Sequence, residues 1–93
     1  MPAAIQVERQ KEGLFHVRVR EADTSTTHVV SVRPDYFQKL TRSGVTTEEL
    51  IRRSFEFLLE HEPKEAILAE FDLAVIQRYF PDYEQEVRRR LAG

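Results

Sequence analysis

The residues of this chain that could do chemistry are few, and they do not converge. Its imidazoles are His16, His28 and His61. They fall on two strand candidates and at a helix end, without the spacing that brings several ligands onto one metal ion. Ser25, Ser31, Ser43 and Ser54 lack the glycine-flanked turn that exposes a nucleophilic hydroxyl, and three glycines are too few for a phosphate-cradling loop. The pairs Glu48/Glu49 and Glu60/Glu62 fit helix starts and solvated faces better than acid–base work, which needs a pocket that perturbs its groups. The expectation is a chain that is not an enzyme and carries no metal, no cofactor and no catalytic residue. Its histidines are expected at the surface or half-buried.

What remains is binding. Alternate residues of two neighbouring strands share a face, and on that basis His16, Arg18, Arg20, Thr27, Val29, Ser31 and Arg33 form one basic, hydroxyl-bearing strip. Arg18, Arg20 and Arg33 are placed to meet phosphates, and Thr27 and Ser31 to read base edges, because an exposed two-stranded surface can enter a major groove. The same strip also reads as the solvated face of an antiparallel sheet, where charge discourages edge pairing.

The positioning elements follow from periodicity. Ile5 and Val7 alternate in AAIQVER; Phe15, Val17 and Val19 alternate in LFHVRVRE; Val30 and Val32 alternate with Ser31 and Arg33. QKEG and ADTST read as turns. Pairing Val19 with His28 over a short Asp23-Thr24 turn puts Val17 opposite Val30 and Phe15 opposite Val32, and a slip by one residue would bury Arg18 and Arg20. Pro34 ends the third strand and opens a helix with Tyr36, Phe37 and Leu40 on one face. Gly44 supplies the positive φ that closes helices, and Thr46 with Glu49 forms a capping box for the next. That helix carries Leu50, Ile51, Ser54, Phe55, Leu58 and Leu59 as an apolar stripe. The fold class is therefore α+β, a three-stranded antiparallel meander followed by three or four helices. It is read as a single domain over residues 1–93, with the meander in 1–33, two helices in 34–62 and C-terminal helices in 63–93. The expected core holds Phe15, Val17, Val30, Val32, Phe37, Leu50, Phe55 and Leu58.

The stretch from residue 27 to 62 resembles the ribbon-helix-helix repressors and antitoxins related to CopG and Arc, in its order of strand, proline, short helix, glycine and capped helix. In that family one strand pairs with its twin from a second chain and its alternate residues enter the DNA major groove. The resemblance implies that role for Thr27, Val29 and Ser31, and it implies a strand with an open edge. Residues 14–61 are also similar to the HicB antitoxin domain, through two strands followed by a T-x-E-E-L helix.

Composition bounds these readings. Ninety-three residues suit one domain. The absence of cysteine removes disulfides, thiolate metal sites and thiol nucleophiles, and fits a reducing cytosol. MPAAIQVERQ has no signal-peptide core and no apolar run reaches membrane-spanning length, so the chain is read as soluble and cytoplasmic, without a membrane. The net charge of -2 opposes a bulk electrostatic hold on nucleic acid. Residues 1–47, however, hold seven Lys/Arg and five Asp/Glu, giving +2, whereas residues 48–93 hold seven and eleven, giving -4. The sheet is thus the seat for any anionic partner.

After Pro63, apolar residues from Ala66 to Phe80 are too dense for one narrow helical stripe. A helix buried on more than one side is expected, split if Asp72 caps a second one. The excess predicts a homodimer or a protein partner through residues 66–80. Pro81 opens a last helix, whose Arg88, Arg89 and Arg90 complement the macrodipole, with Glu84–Arg88 and Glu86–Arg90 as i,i+4 pairs. Two functions stand side by side: a small regulatory module of the antitoxin or transcriptional-regulator kind that binds nucleic acid, and a protein-interaction or accessory subunit working through its C-terminal helices.

Overall fold

A computed structural model describes residues 3–92. The chain is α+β, and its first third is the antiparallel meander read from the sequence: β1 (Ala4–Lys11), β2 (Leu14–Glu21) and β3 (Thr24–Ser31). Pairing places Ile5 beside Val19, Val7 beside Val17, and Phe15 beside Val30, all on the inner face. Gly13 turns the first hairpin at φ +80, and its carbonyl accepts the Val32 amide at 2.9 Å.

The second hairpin turns one step earlier than expected, over Ala22 and Asp23, with Ala22 in the left-handed region at φ 55. Val19 therefore faces Thr26 instead of His28, and Phe15 faces Val30 instead of Val32. The displacement is even, so every side chain keeps its predicted face. It moves His28 into the middle row beside Val17, under the Phe55 ring at 5.4 Å. His28 is consequently 2% exposed, deeper than the surface or half-buried position expected of it.

α1 (Pro34–Leu40) starts at Pro34 as its fixed φ dictates. Tyr36 is the buried aromatic of this helix and Phe37 is only half-buried at the core's rim, the reverse of the emphasis in the expected core. Tyr36 can go inside because its hydroxyl donates to the Glu84 carboxylate at 2.9 Å. Gly44 has positive φ (+94), but it serves the turn after α1, whose C-cap is Thr41. α2 (Thr47–His61) opens on the Thr46 hydroxyl, which accepts from the Glu49 amide at 3.1 Å. It lays Leu50, Ile51, Phe55 and Leu58 in the core under the sheet.

The chain departs most from expectation after Pro63. In place of a long helix there is a 3-10 turn at Lys64–Ala66, a fourth strand β4 (Glu70–Asp72) and a short helix α3 (Val75–Tyr79). β4 runs parallel to β3 and pairs Val30 with Phe71. Phe71 and Leu73 alternate with Glu70 and Asp72, a period of two hidden inside a dense apolar run, and both apolar residues are buried. The sheet order is β1-β2-β3-β4.

α4 (Tyr83–Ala92) packs Tyr83 and Val87 against α2. The Tyr83 hydroxyl lies 2.6 Å from the Ser54 hydroxyl, which also donates to the Leu50 carbonyl at 2.8 Å, and burial pushes the Tyr83 phenol above its ordinary pKa. The basic run does not form the expected i,i+4 pairs. Arg90 reaches Glu60 on α2, Arg88 donates to the Lys39 carbonyl, and Arg89 pairs with Glu86. Arg88 and Arg90 thus tie α4 to its neighbours, while the Arg89 pair stays within the helix.

Candidate functional site

Among the described residues no helix covers the outer sheet face, and its rows come from the strand register. Arg20 lies between Ala4 and Ser25, and Arg18 between Gln6 and Thr27; all six are exposed. The next row runs Glu8, His16, Val29, Glu70, and beyond it Leu14, Ser31 and Asp72 stand side by side. The face is therefore polarised. Arg18 and Arg20 occupy one end, while Glu8, Glu70 and Asp72 occupy the other, with Lys11 beside Leu14 at its corner.

The structure brings Arg18, Arg20 and Thr27 together and separates Ser31 and Arg33 from them. The Ser31 hydroxyl donates to Asp72 Oδ2 at 2.9 Å, so its hydrogen is already engaged. Arg33 is exposed at the N-cap of α1, on the order of 20 Å of extended chain past Thr27. The edge of β3 next to Val29 and Ser31, expected to be open, is filled by β4. The free edge of β1 is partly guarded as well, because the Arg52 guanidinium donates to the Ile5 carbonyl at 2.6 Å.

A second surface lies where β4, α3 and the end of α2 meet. Its position is set by polar anchors. His28 Nδ1 is 2.8 Å from the Leu68 carbonyl, and since a carbonyl only accepts, Nδ1 carries the proton; Nε2 is left facing the Thr26 hydroxyl at 2.8 Å. Lys64, 4% exposed, pairs with Glu65 at 2.9 Å and Glu21 at 3.2 Å. The Glu65 carboxylate first, and Glu21 with it, raise the lysine pKa above its ordinary value and keep it charged. Asp72 links both ends of the segment, accepting from Ser31 with one oxygen and from the Ala74 amide with the other at 3.0 Å. Asp72 is not the N-cap that the sequence suggested: α3 starts after Ala74 without a side-chain cap, and Asp72 instead closes the turn that leads from β4 into it.

α3 is then oriented by its own period. Ile76 points into the core at 3% exposure, which leaves Val75 and Tyr79, one turn apart, on a shared outer face. Phe80 stacks on His61 at 5.1 Å and meets Phe57 edge-on at 5.8 Å. Gln77 braces the corner to α4, donating to the Pro81 carbonyl at 2.6 Å and accepting the Glu84 amide at 2.9 Å. The result is an apolar groove of about 200 Å³ bounded by Ala66, Leu68, Phe71, Val75, Ile76, Tyr79 and Phe80, with Glu62 at its margin. Leu68 at 49% and Tyr79 at 67% are the large hydrophobic side chains most exposed to water among the described residues. Sequence reasoning placed both in the apolar run but could not separate them from its core members.

Among the described residues, no group of three or more His, Cys, Asp or Glu could hold a metal ion, and no helix is long and apolar enough to cross a membrane. No protein-family model, curated protein or solved structure matches the chain.

Proposed function

We propose that this chain is a non-enzymatic binding module that engages a protein through the Leu68–Tyr79 groove. The observation that carries this reading is the exposure of two large apolar side chains on the rim of an apolar groove, on a segment whose backbone is fixed by His28, Lys64 and Asp72. An apolar groove with an aromatic at its edge is the form that contact hot spots take, and Tyr79 stands 67% exposed at that edge.

A second reading is favoured by one observation at the other end of the molecule. Arg18 and Arg20 are exposed and have no ion-pair partner among the described residues, and Gln6, Ser25 and Thr27 flank them. That end of the sheet suits a phosphate backbone, as a nucleic-acid-binding regulator requires. The carboxylates of Glu8, Glu70 and Asp72 on the same face limit how far a polyanion can extend, and this ranks the reading second.

One experiment separates the two. A photoreactive phenylalanine analogue is placed at position 79 in one sample and at position 18 in another, and adducts formed in host cells are identified by mass spectrometry. The first reading expects protein adducts from position 79. Nucleic-acid adducts from position 18, with none from position 79, would overturn it and favour the second.

A further inference from the structure

We propose that the groove is closed by a second copy of this chain across a two-fold axis; the inference rests on the protein-binding reading and names its partner. Three observations point to a copy. The cavity, about 200 Å³, is smaller than the roughly 300–1,000 Å³ of small-molecule sites and suits one or two side chains. The protruding side chain and the hollow belong to the same patch, since Tyr79 stands 67% exposed at the margin of a groove floored by Phe71 and Ile76. A two-fold contact requires just this, a surface that is its own complement.

Charge supplies the third observation. Glu62 lines the groove and Arg78 is exposed beside Tyr79, and neither has an ion-pair partner among the described residues. When Tyr79 of one copy enters the groove of the other, Arg78 comes with it toward the partner's Glu62, and symmetry repeats the pair. Rim charges of this kind set register and partner choice more than raw affinity.

The symmetry makes the test specific. Sedimentation equilibrium of the full chain at high micromolar concentration is expected to give a dimer, and Tyr79→Ser a folded monomer by circular dichroism. Glu62→Arg alone sets two arginine pairs against each other across the axis, and Arg78→Glu alone sets two glutamate pairs. Each should weaken association on the order of tenfold or more. An equimolar mixture of these two variants restores both opposite-charge pairs and is expected to dimerise as the unsubstituted chain does. A monomeric unsubstituted chain, a dimer indifferent to these substitutions, or a mixture that stays monomeric would each overturn the inference. In any of those cases, protein adducts from position 79 to a different chain would leave the binding reading standing, and their absence would remove both.

Discussion

The two halves of the molecule use apolar residues differently. Under the meander, Phe15, Val17, Val19, Val30, Leu50, Ile51 and Phe55 are each no more than 1% exposed, and one sheet face and one helix face enclose them. Between Pro63 and Phe80 a similar density of apolar residues is cut into a turn, a three-residue strand and a single helical turn and a half, and Leu68 and Tyr79 are left outside. Long regular elements bury a whole stripe; short ones bury every second or third residue and present the rest. The first half holds the fold, and the second half trades coverage for a shaped surface whose backbone is held by polar anchors.

The sharpest way to break this contrast is Phe55→Ala. Phe55 is fully buried between His28 and Phe71, and its truncation should cost on the order of 3–5 kcal/mol, read from chemical denaturation. An unchanged midpoint would mean that the first half is not the stabilising one.

Asp72→Ala comes next. It removes the acceptor for the Ser31 hydroxyl and for the Ala74 amide, and a loss of about 1–2 kcal/mol is expected for two part-buried hydrogen bonds. Hydrogen exchange should quicken in residues 70–79 and remain slow in β1 and β2. Uniform quickening would show that the two halves are not separable in this way.

A smaller effect belongs to Tyr83→Phe, which leaves the buried Ser54 hydroxyl with its Leu50 acceptor but without the phenol, at a cost of about 1 kcal/mol near neutral pH. Its pH dependence has a definite sign. Burial raises the Tyr83 phenol, and burial with the Glu84 hydrogen bond raises that of Tyr36. The folded state keeps both protons above pH 10, where an unfolded tyrosine releases them, so their contribution is complete below about pH 10 and is lost as pH rises beyond it. Alkaline unfolding curves should show a shallower loss in Tyr83→Phe than in the unsubstituted chain. Identical slopes would contradict the burial argument.

Legibility in the sequence followed the same division. Strict alternation in β2 and the proline, the cap and the stripe of α1 and α2 made the meander and the helices readable, and even the hairpin error kept each face because it was a displacement by two. The groove was not readable, for two reasons. Phe71 and Leu73 have strand spacing, but Ile67, Leu68, Val75 and Ile76 on either side imitate a buried helix. The anchors that fix the segment, His28 with the Leu68 carbonyl and Lys64 with Glu21, join residues about 40 positions apart in the chain, which no local pattern reports. On the sheet face, Arg18, Arg20 and Thr27 were grouped correctly by alternation. Ser31 shares their face as alternation requires, but its hydroxyl is engaged by Asp72, which arrives on a strand that the sequence concealed.

α3 faces two ways, with Ile76 buried in the fold and Tyr79 presented at the surface. Paired thermal unfolding of Ile76→Ala and Tyr79→Ser tests it most directly, at a dilution where the unsubstituted chain is monomeric so that association does not contribute. Ile76→Ala is expected to lose about 2–5 kcal/mol and Tyr79→Ser no more than about 0.5 kcal/mol, while association at high concentration is lost in Tyr79→Ser. Equal destabilisation by the two substitutions, or a Tyr79→Ser chain that still associates as before, would contradict it.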